Sequence, residues 1–202
     1  MSFNIYSLNP SKTISWASGT STELFVFPAD GNFQTRDFDF RISTATVEAE
    51  ETNFSDFSGL TRILMVLKGR LTLIHENRYT KELATFDQDR FDGAWKTRSK
   101  GKVQDFNVMF TENYEAAVNH FSLSENDKRE INLDSKLHFY FVFNGKFHLN
   151  GQRVNSGDLI EIRQKEIQKL DIICLEEGNI IETKIEKKNK ICSFNLILME
   201  RL

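Results

Sequence analysis

Phenylalanine at every second position, with polar residues between, is the feature that most restricts this chain. Side chains two apart share one face of a strand, and a helix cannot use that period. In FDFRISTATVE, Phe38, Phe40 and Ile42 fall on one face while Asp39, Arg41 and Ser43 fall on the other. In DFNVMF, Phe106, Val108 and Phe110 oppose Asp105, Asn107 and Met109. HFYFVFNGKFHLN is dense in the aromatic and β-branched residues that suit a pleated surface. No long window holds a strong helical period. The best short helical candidate is Tyr114, Ala117, Val118 and Phe121, one or two turns at most. The chain therefore reads as all-β.

Its organisation comes from a repeat. ILMVLKGRLTLIHEN resembles HFYFVFNGKFHLNGQ, each read as strand, turn, strand, with Gly69 and Gly145 at equivalent points in K-G-R and N-G-K turns. The second copy continues GQRVNSGDLIEI, whose Gly turn and Ser-Gly-Asp before an apolar strand resemble a cupin half-motif. Between the halves, SLSENDKREINLDS is rich in turn-forming and charged residues and serves as the linker candidate. Two small barrels in tandem are expected, over residues 1–120 and 121–202, with strands exchanged between them.

Composition narrows the function classes. With 40% hydrophobic and 27% charged residues, a chain of 202 can bury a core without disulfides or a structural metal. The 26 basic and 29 acidic residues give a net charge of -3 and alternate in sign, so nucleic acid is not an expected partner. MSFNIYSLNPSK lacks a basic segment followed by an apolar run, and no stretch approaches the ~20 apolar residues of a membrane span. The expectation is a cytoplasmic protein with no membrane partner. Cys174 and Cys192 each sit in an apolar segment without cysteine or histidine companions and read as buried small hydrophobes. IETKIEKKNKI, near residues 181–191, alternates in sign like a solvated edge strand.

Four ordered blocks then carry a resemblance. They are WASGTSTELFVFP (16–28), FDFRISTATVE (38–48), FSDFSGLTRILMVLKG (54–69) and FDGAWKTRSKGKVQDFNVMF (91–110). Together they resemble the W-x-x-G-x-T-x-E-L, F-x-[FW]-R-[IV]-S, F-S-x-[FL]-x-G-x-x-R and D-F-N-[VLI]-M signatures of the HutD/Ves family of bicupin proteins. The likeness is strongest over residues 16–110; the C-terminal half adds only the cupin-like glycine pattern. Many members carry a longer glycine-rich stretch after the tryptophan, where this chain has Ala17, Ser18, Gly19, Thr20, Ser21 and Thr22. The resemblance implies a pair of cupin-type barrels and an association, by name, with histidine utilisation and stress response. It implies no established enzymatic activity.

Cupin barrels often hold a metal through two close histidines, a carboxylate and a third histidine from a later strand. This chain lacks that set. His75 stands alone in LIHEN and reads as a half-exposed strand-end residue, His120 falls in the linker region, and His138 and His148 fall on different expected strands. His75 and Glu76 are the only starting ligands for a metal, and none is expected. Arginine is the better clue, because Arg41 and Arg62 each interrupt an apolar strand and a guanidinium there needs a planar partner. That partner is either a ligand carboxylate or the protein's own Asp105 or Glu23.

Asp105 and Asn107 share one strand face, about 7 Å apart along it, and can orient a small polar molecule or satisfy backbone groups. Glu23 and Thr22 can wall the same pocket or brace the N-terminal segment. Trp16 and Trp95 read as core or lid packing. The sequence has no Gly-x-Ser-x-Gly elbow, P-loop or dinucleotide fingerprint.

Three function classes remain. The first is a cytoplasmic, metal-free and cofactor-free bicupin that binds a small polar anionic metabolite through Arg62, Arg41, Asp105, Asn107, Glu23 and Thr22, as a sensor or modulator. The second is an enzyme on a small acid or amide with Asp105 or Glu23 as general base and Arg62 at a developing oxyanion. The third is an interaction protein whose sheet edges pair with a partner or with a second copy, as in a homodimer.

Overall fold

The computed structural model describes residues 3–163 and 168–189. Strands follow one another wherever apolar and polar residues alternate. The first half runs β1 (Asn4–Tyr6), a 3-10 turn at Pro10–Lys12, β2 (Thr13–Trp16), β3 (Gly19–Phe27), β4 (Phe40–Val47) and β5 (Glu51–Asn53). It continues with β6 (Leu60–Gly69), β7 (Leu71–His75), β8 (Tyr79–Leu83), β9 (Gln88–Asp92), β10 (Thr97–Lys100) and β11 (Val103–Thr111). The second half holds β12 (Tyr114–Leu123), β13 (Lys128–Asn132), β14 (Leu137–Leu149), β15 (Gln152–Asn155), β16 (Leu159–Arg163) and β17 (Lys169–Lys187). None of the described helices is long and apolar enough to cross a membrane.

These strands form three antiparallel sheets. A six-stranded sheet is ordered β2-β3-β4-β11-β6-β9, a four-stranded sheet β5-β10-β7-β8, and a seven-stranded sheet β1-β16-β14-β17-β12 with β13 on β17 and β15 on β14. The alternation now has a structural meaning. Phe40, Ile42, Ile63, Met65, Phe106, Val108 and Phe110 project from the six-stranded sheet against Tyr114, Val118, Phe139, Phe141 and Ile181 of the seven-stranded one. Phe106 and Phe141 meet across that seam with ring centroids 5.6 Å apart. On its other face the six-stranded sheet packs Val47, Leu64, Val66 and Val103 against Leu71, Leu73 and Leu83 of the four-stranded sheet. The seven-stranded sheet encloses a separate core around Tyr140, Phe147, Leu149 and Ile160.

Several expectations need correction. The short helical candidate is the strand β12, whose Tyr114, Ala116 and Val118 are buried at the two-residue period. The linker is not free of structure: it contains β13, paired with β17, while β12, which starts in the expected first half, also pairs with β17. β1, from the N-terminus, joins the same sheet by pairing with β16. β17 is no edge: β14 and β12 flank it, and its Glu182 is buried because Tyr140 and Asn119 donate hydrogen bonds of 2.8 and 2.9 Å to its carboxylate. Residues 190 and 191 of that charged run lie outside the described residues, as does Cys192, whereas Cys174 is buried.

The two glycine turns are not alike. Gly69, at φ +98°, hands the chain from the six-stranded to the four-stranded sheet. Gly145, at φ +86°, lies inside the continuous strand β14, where the register with β17 shifts and the strand bends. A Cβ on the facing Gly178 would stand 2.2 Å from the Asn144 carbonyl oxygen, so the two strands approach too closely there for any side chain.

The seam between the large sheets should dominate stability. Phe106→Ala removes a fully buried ring, and the expected loss is about 3–5 kcal/mol in urea unfolding. A loss below about 1 kcal/mol would contradict this account of the core.

Candidate ligand-binding site

The face of β4, β11 and β6 turned away from the seam carries the polar residues. On β11, Asn107 lies opposite Ser43 of β4 and Leu64 of β6, and Met109 lies opposite Arg41 and Arg62. The two arginines thus flank the central strand. A bulge in β3 after Glu23 leaves that residue opposite Ser43, a diagonal step from Arg41. Arg41, Ser43, Arg62, Leu64, Asp105, Asn107 and Met109 border a cavity of about 220 Å³. Its remaining wall includes Phe33, Asn53, Phe54, Ser55 and Phe57, and Ile14 and the 38% exposed Trp16 stand at its mouth.

Arg41 is almost fully accounted for within the protein. It is 3% exposed, donates from Nε to Glu23 Oε2 at 3.0 Å and from Nη1 to Ser43 Oγ at 2.9 Å, and lies 4.0 Å over the Phe33 ring. Glu23 also stands 3.6 Å from the Lys12 amine. Burial lowers the Arg41 pKa, and the bonded Glu23 offsets part of that effect.

Arg62 is held differently. It is 7% exposed and donates from Nη2 to Asn107 Oδ1 at 3.1 Å, while Asn107 passes a short hydrogen bond from Nδ2 to Asp105 Oδ1. Because the amide must present oxygen to Arg62 and nitrogen to Asp105, its orientation is fixed. Arg62 Nε is buried and has no partner. The guanidinium rests among Phe54, Phe91 and Phe57, 4.8–5.4 Å from their centroids. Burial pushes its pKa down to about 10, with Asp105 opposing that shift and Arg41 adding to it. Burial likewise pushes Asp105 up to about 7, against the opposing pull of Arg62 and of the Asn107 hydrogen bond.

The structure therefore brings Arg41, Arg62, Asp105 and Asn107 onto one cavity wall. Glu23 supports Arg41 from outside the lining, and Thr22 faces away, its hydroxyl 2.8 Å from that of Thr13. Ser43 and the phenylalanines at 33, 54 and 57 were not singled out from the sequence. Ser43 shares the alternate face of Arg41 and was legible; the phenylalanines at 33, 54 and 57 lie outside regular strands, where no period marks a lining residue.

The histidines also differ from expectation. His75 is 2% exposed instead of half-exposed, because Thr97 at 2.8 Å and Asp89 at 3.0 Å engage its two ring nitrogens and Tyr79, Phe91 and Trp95 surround it. Neither nitrogen is available to a metal, and Glu76 points outward. His120 lies on β12, stacked 3.5 Å from Phe86. His138 and His148 share β14, which the repeat had divided into two strands. No group of three or more metal-ligating side chains occurs among the described residues. The cavity wall offers one carboxylate, two guanidinium groups and no imidazole or thiolate, a donor set that does not fit a divalent cation.

Antiparallel sheets folded over one another, with a cavity between two of them, are the architecture of cupin-type proteins. The HutD family model matches residues 9–193, and the chain belongs to the HutD family. Against curated proteins it has no match. Among solved structures it is similar to PA5104, a conserved protein of unknown function from Pseudomonas aeruginosa PAO1, with 19% identity, TM-score 0.74 and coverage of 93% of this chain and 100% of that one. HutD from Pseudomonas fluorescens SBW25, solved in a formate condition, gives 17% identity, TM-score 0.71 and the same coverages of 93% and 100%. The bacterial pirin YhhW of Escherichia coli, in complex with nickel(II), gives 10% identity, TM-score 0.69 and again 93% and 100%.

The Asp105 shift has a stability consequence with a definite sign. Between its ordinary 3.8 and about 7 the folded protein holds a proton that the unfolded chain has released. Stability from this group is complete below that window and is lost as pH rises through about 7. Asp105→Asn, which keeps an acceptor for Asn107, should melt progressively higher than wild type as pH rises from about 5 to about 8. A melting difference independent of pH would contradict the assigned shift.

Proposed function

We propose that this protein binds a small carboxylate-bearing metabolite, without a metal, in the cavity beside Arg62, and acts as a sensor or modulator. Its setting is amino-acid (histidine) utilisation or stress response, with which the family is associated by name. The observation that carries the reading is Arg62, a buried guanidinium on the wall of a cavity, whose Nε has no hydrogen-bond partner. Leaving such a donor unsatisfied costs free energy that a ligand carboxylate would recover. Arg41 adds positive potential, Asn107 and Asp105 offer polar contacts, and the ring-lined mouth accepts the organic remainder. The HutD structure solved in a formate condition supplies a first carboxylate to try.

A second reading is favoured by one observation. Asp105, raised to about 7 and beside a guanidinium, has the acidity suited to a general base on a small acid or amide. In that case Asp105→Asn would abolish turnover while leaving substrate binding in place.

Thermal shift of metal-stripped protein against formate, glutamate, formylglutamate and urocanate tests the first reading. At a hundredfold excess over Kd a ligand should stabilise by roughly 2.7 kcal/mol, and Arg62→Ala should remove the effect. Arg62→Lys should restore little of it, since an ammonium lacks the planar fork. A shift that survives in Arg62→Ala, or no shift with any carboxylate, would overturn the assignment.

A further inference from the structure

The cavity wall contains more than a cation for an anion. Asp105 and Arg62 are joined through Asn107, so a ligand carboxylate seated on the Arg62 guanidinium would share a wall with a second carboxyl group. Asp105 Oδ1 accepts from Asn107, and no side-chain hydrogen bond engages Asp105 Oδ2 among the described residues. Two carboxylates in one buried site cannot both remain ionised. The charges facing Asp105 come from Arg62 on β6 and Arg41 on β4, with Glu23 of β3 behind Arg41; the four-stranded sheet and the loops contribute no titratable side chain to the lining.

Summing these groups gives the direction of the effect. Glu23, which the half-exposed Lys12 also approaches at 3.6 Å, compensates Arg41, and an ionised Asp105 compensates Arg62, so neither buried arginine keeps an unbalanced charge for an anion to answer. With Asp105 protonated, one positive charge is uncompensated. We infer that Asp105 is the specificity-determining residue of this site and makes it take up a carboxylate together with one proton, the ligand carboxylate and the Asp105 carboxyl sharing a single hydrogen. The inference rests on the carboxylate-binding reading above.

The step balances without a co-reactant. Ionised Asp105, a proton from solvent and the carboxylate give a neutral carboxylic acid that donates O–H···O⁻ to the ligand, and no other bond is made or broken. Burial has already moved the Asp105 titration to about neutrality, so the proton is available under ordinary conditions. The site then favours monocarboxylates over anions poorly able to share a proton, and binding weakens as the solution becomes alkaline.

The test uses formate as the probe, titrated from about pH 5.5 to about pH 8.5 into wild type and Asp105→Asn. Wild-type Kd should be flat at the acid end and rise about tenfold per pH unit above about 7, the limit for one linked proton. Asp105→Asn should bind formate with no such slope. Calorimetry on wild type in two buffers of different ionisation enthalpy provides a reading that needs no variant, and near one proton should be taken up per formate at about pH 8. Formate that binds with a flat pH profile and no proton uptake would overturn this inference alone. No binding of formate even at the acid end, where the proton is in place, would overturn the carboxylate reading along with it.

Discussion

Three adjacent strands, β4, β11 and β6, are buried on both faces; one face is apolar throughout, and the other sets charged side chains among Val47, Leu64, Val66 and Val103. The outward face of phenylalanine, isoleucine and valine forms the seam between the large sheets. The inward face carries two arginines, an aspartate and an asparagine out of bulk water, where each charge must find a partner or shift its protonation. Much of the site's arrangement answers that demand. Glu23 is held beside Arg41 by a bulge in β3, Asn107 is oriented by two opposite neighbours, and Asp105 moves toward the neutral form. At Arg62 Nε the demand is left unmet.

Much of this was legible in the sequence, and the reason is the same two-residue period. Alternation in FDFRISTATVE and DFNVMF places Arg41 with Ser43, and Asp105 with Asn107, on the face opposite the phenylalanines. The family resemblance then supplied the cupin setting. Alternation cannot say how strands pair, so the contact between Arg62 and Asn107, on strands distant in sequence, was beyond it. Nor can it separate a turn from a bend, which is why Gly69 and Gly145 looked equivalent although one changes sheets and the other kinks β14. The misreading of β17 as an edge has a similar origin: alternating charge resembles solvation until Tyr140 and Asn119 are seen to satisfy Glu182. His75 shows the converse, since a lone histidine followed by glutamate gives no sign of the aspartate fourteen residues away that buries it.

Membership of the HutD family and the likeness to cupin structures describe a scaffold, and scaffold alone does not choose chemistry. What the cavity can do depends on its donors. A wall of guanidinium, amide and one near-neutral carboxyl suits a small acid and offers little to a divalent cation. The ring-lined mouth adds apolar surface around that polar floor, so binding would combine one strong directional contact with general desolvation of the ligand's remainder.

The most direct test of the central claim is to follow the arginine Nε–H resonances of nitrogen-15-labelled protein by NMR while a carboxylate is added. The account predicts that the Arg62 Nε–H signal moves saturably and further than any other arginine Nε–H, as its vacant donor acquires an acceptor. A carboxylate that binds and perturbs other residues while leaving the Arg62 signal in place would contradict it.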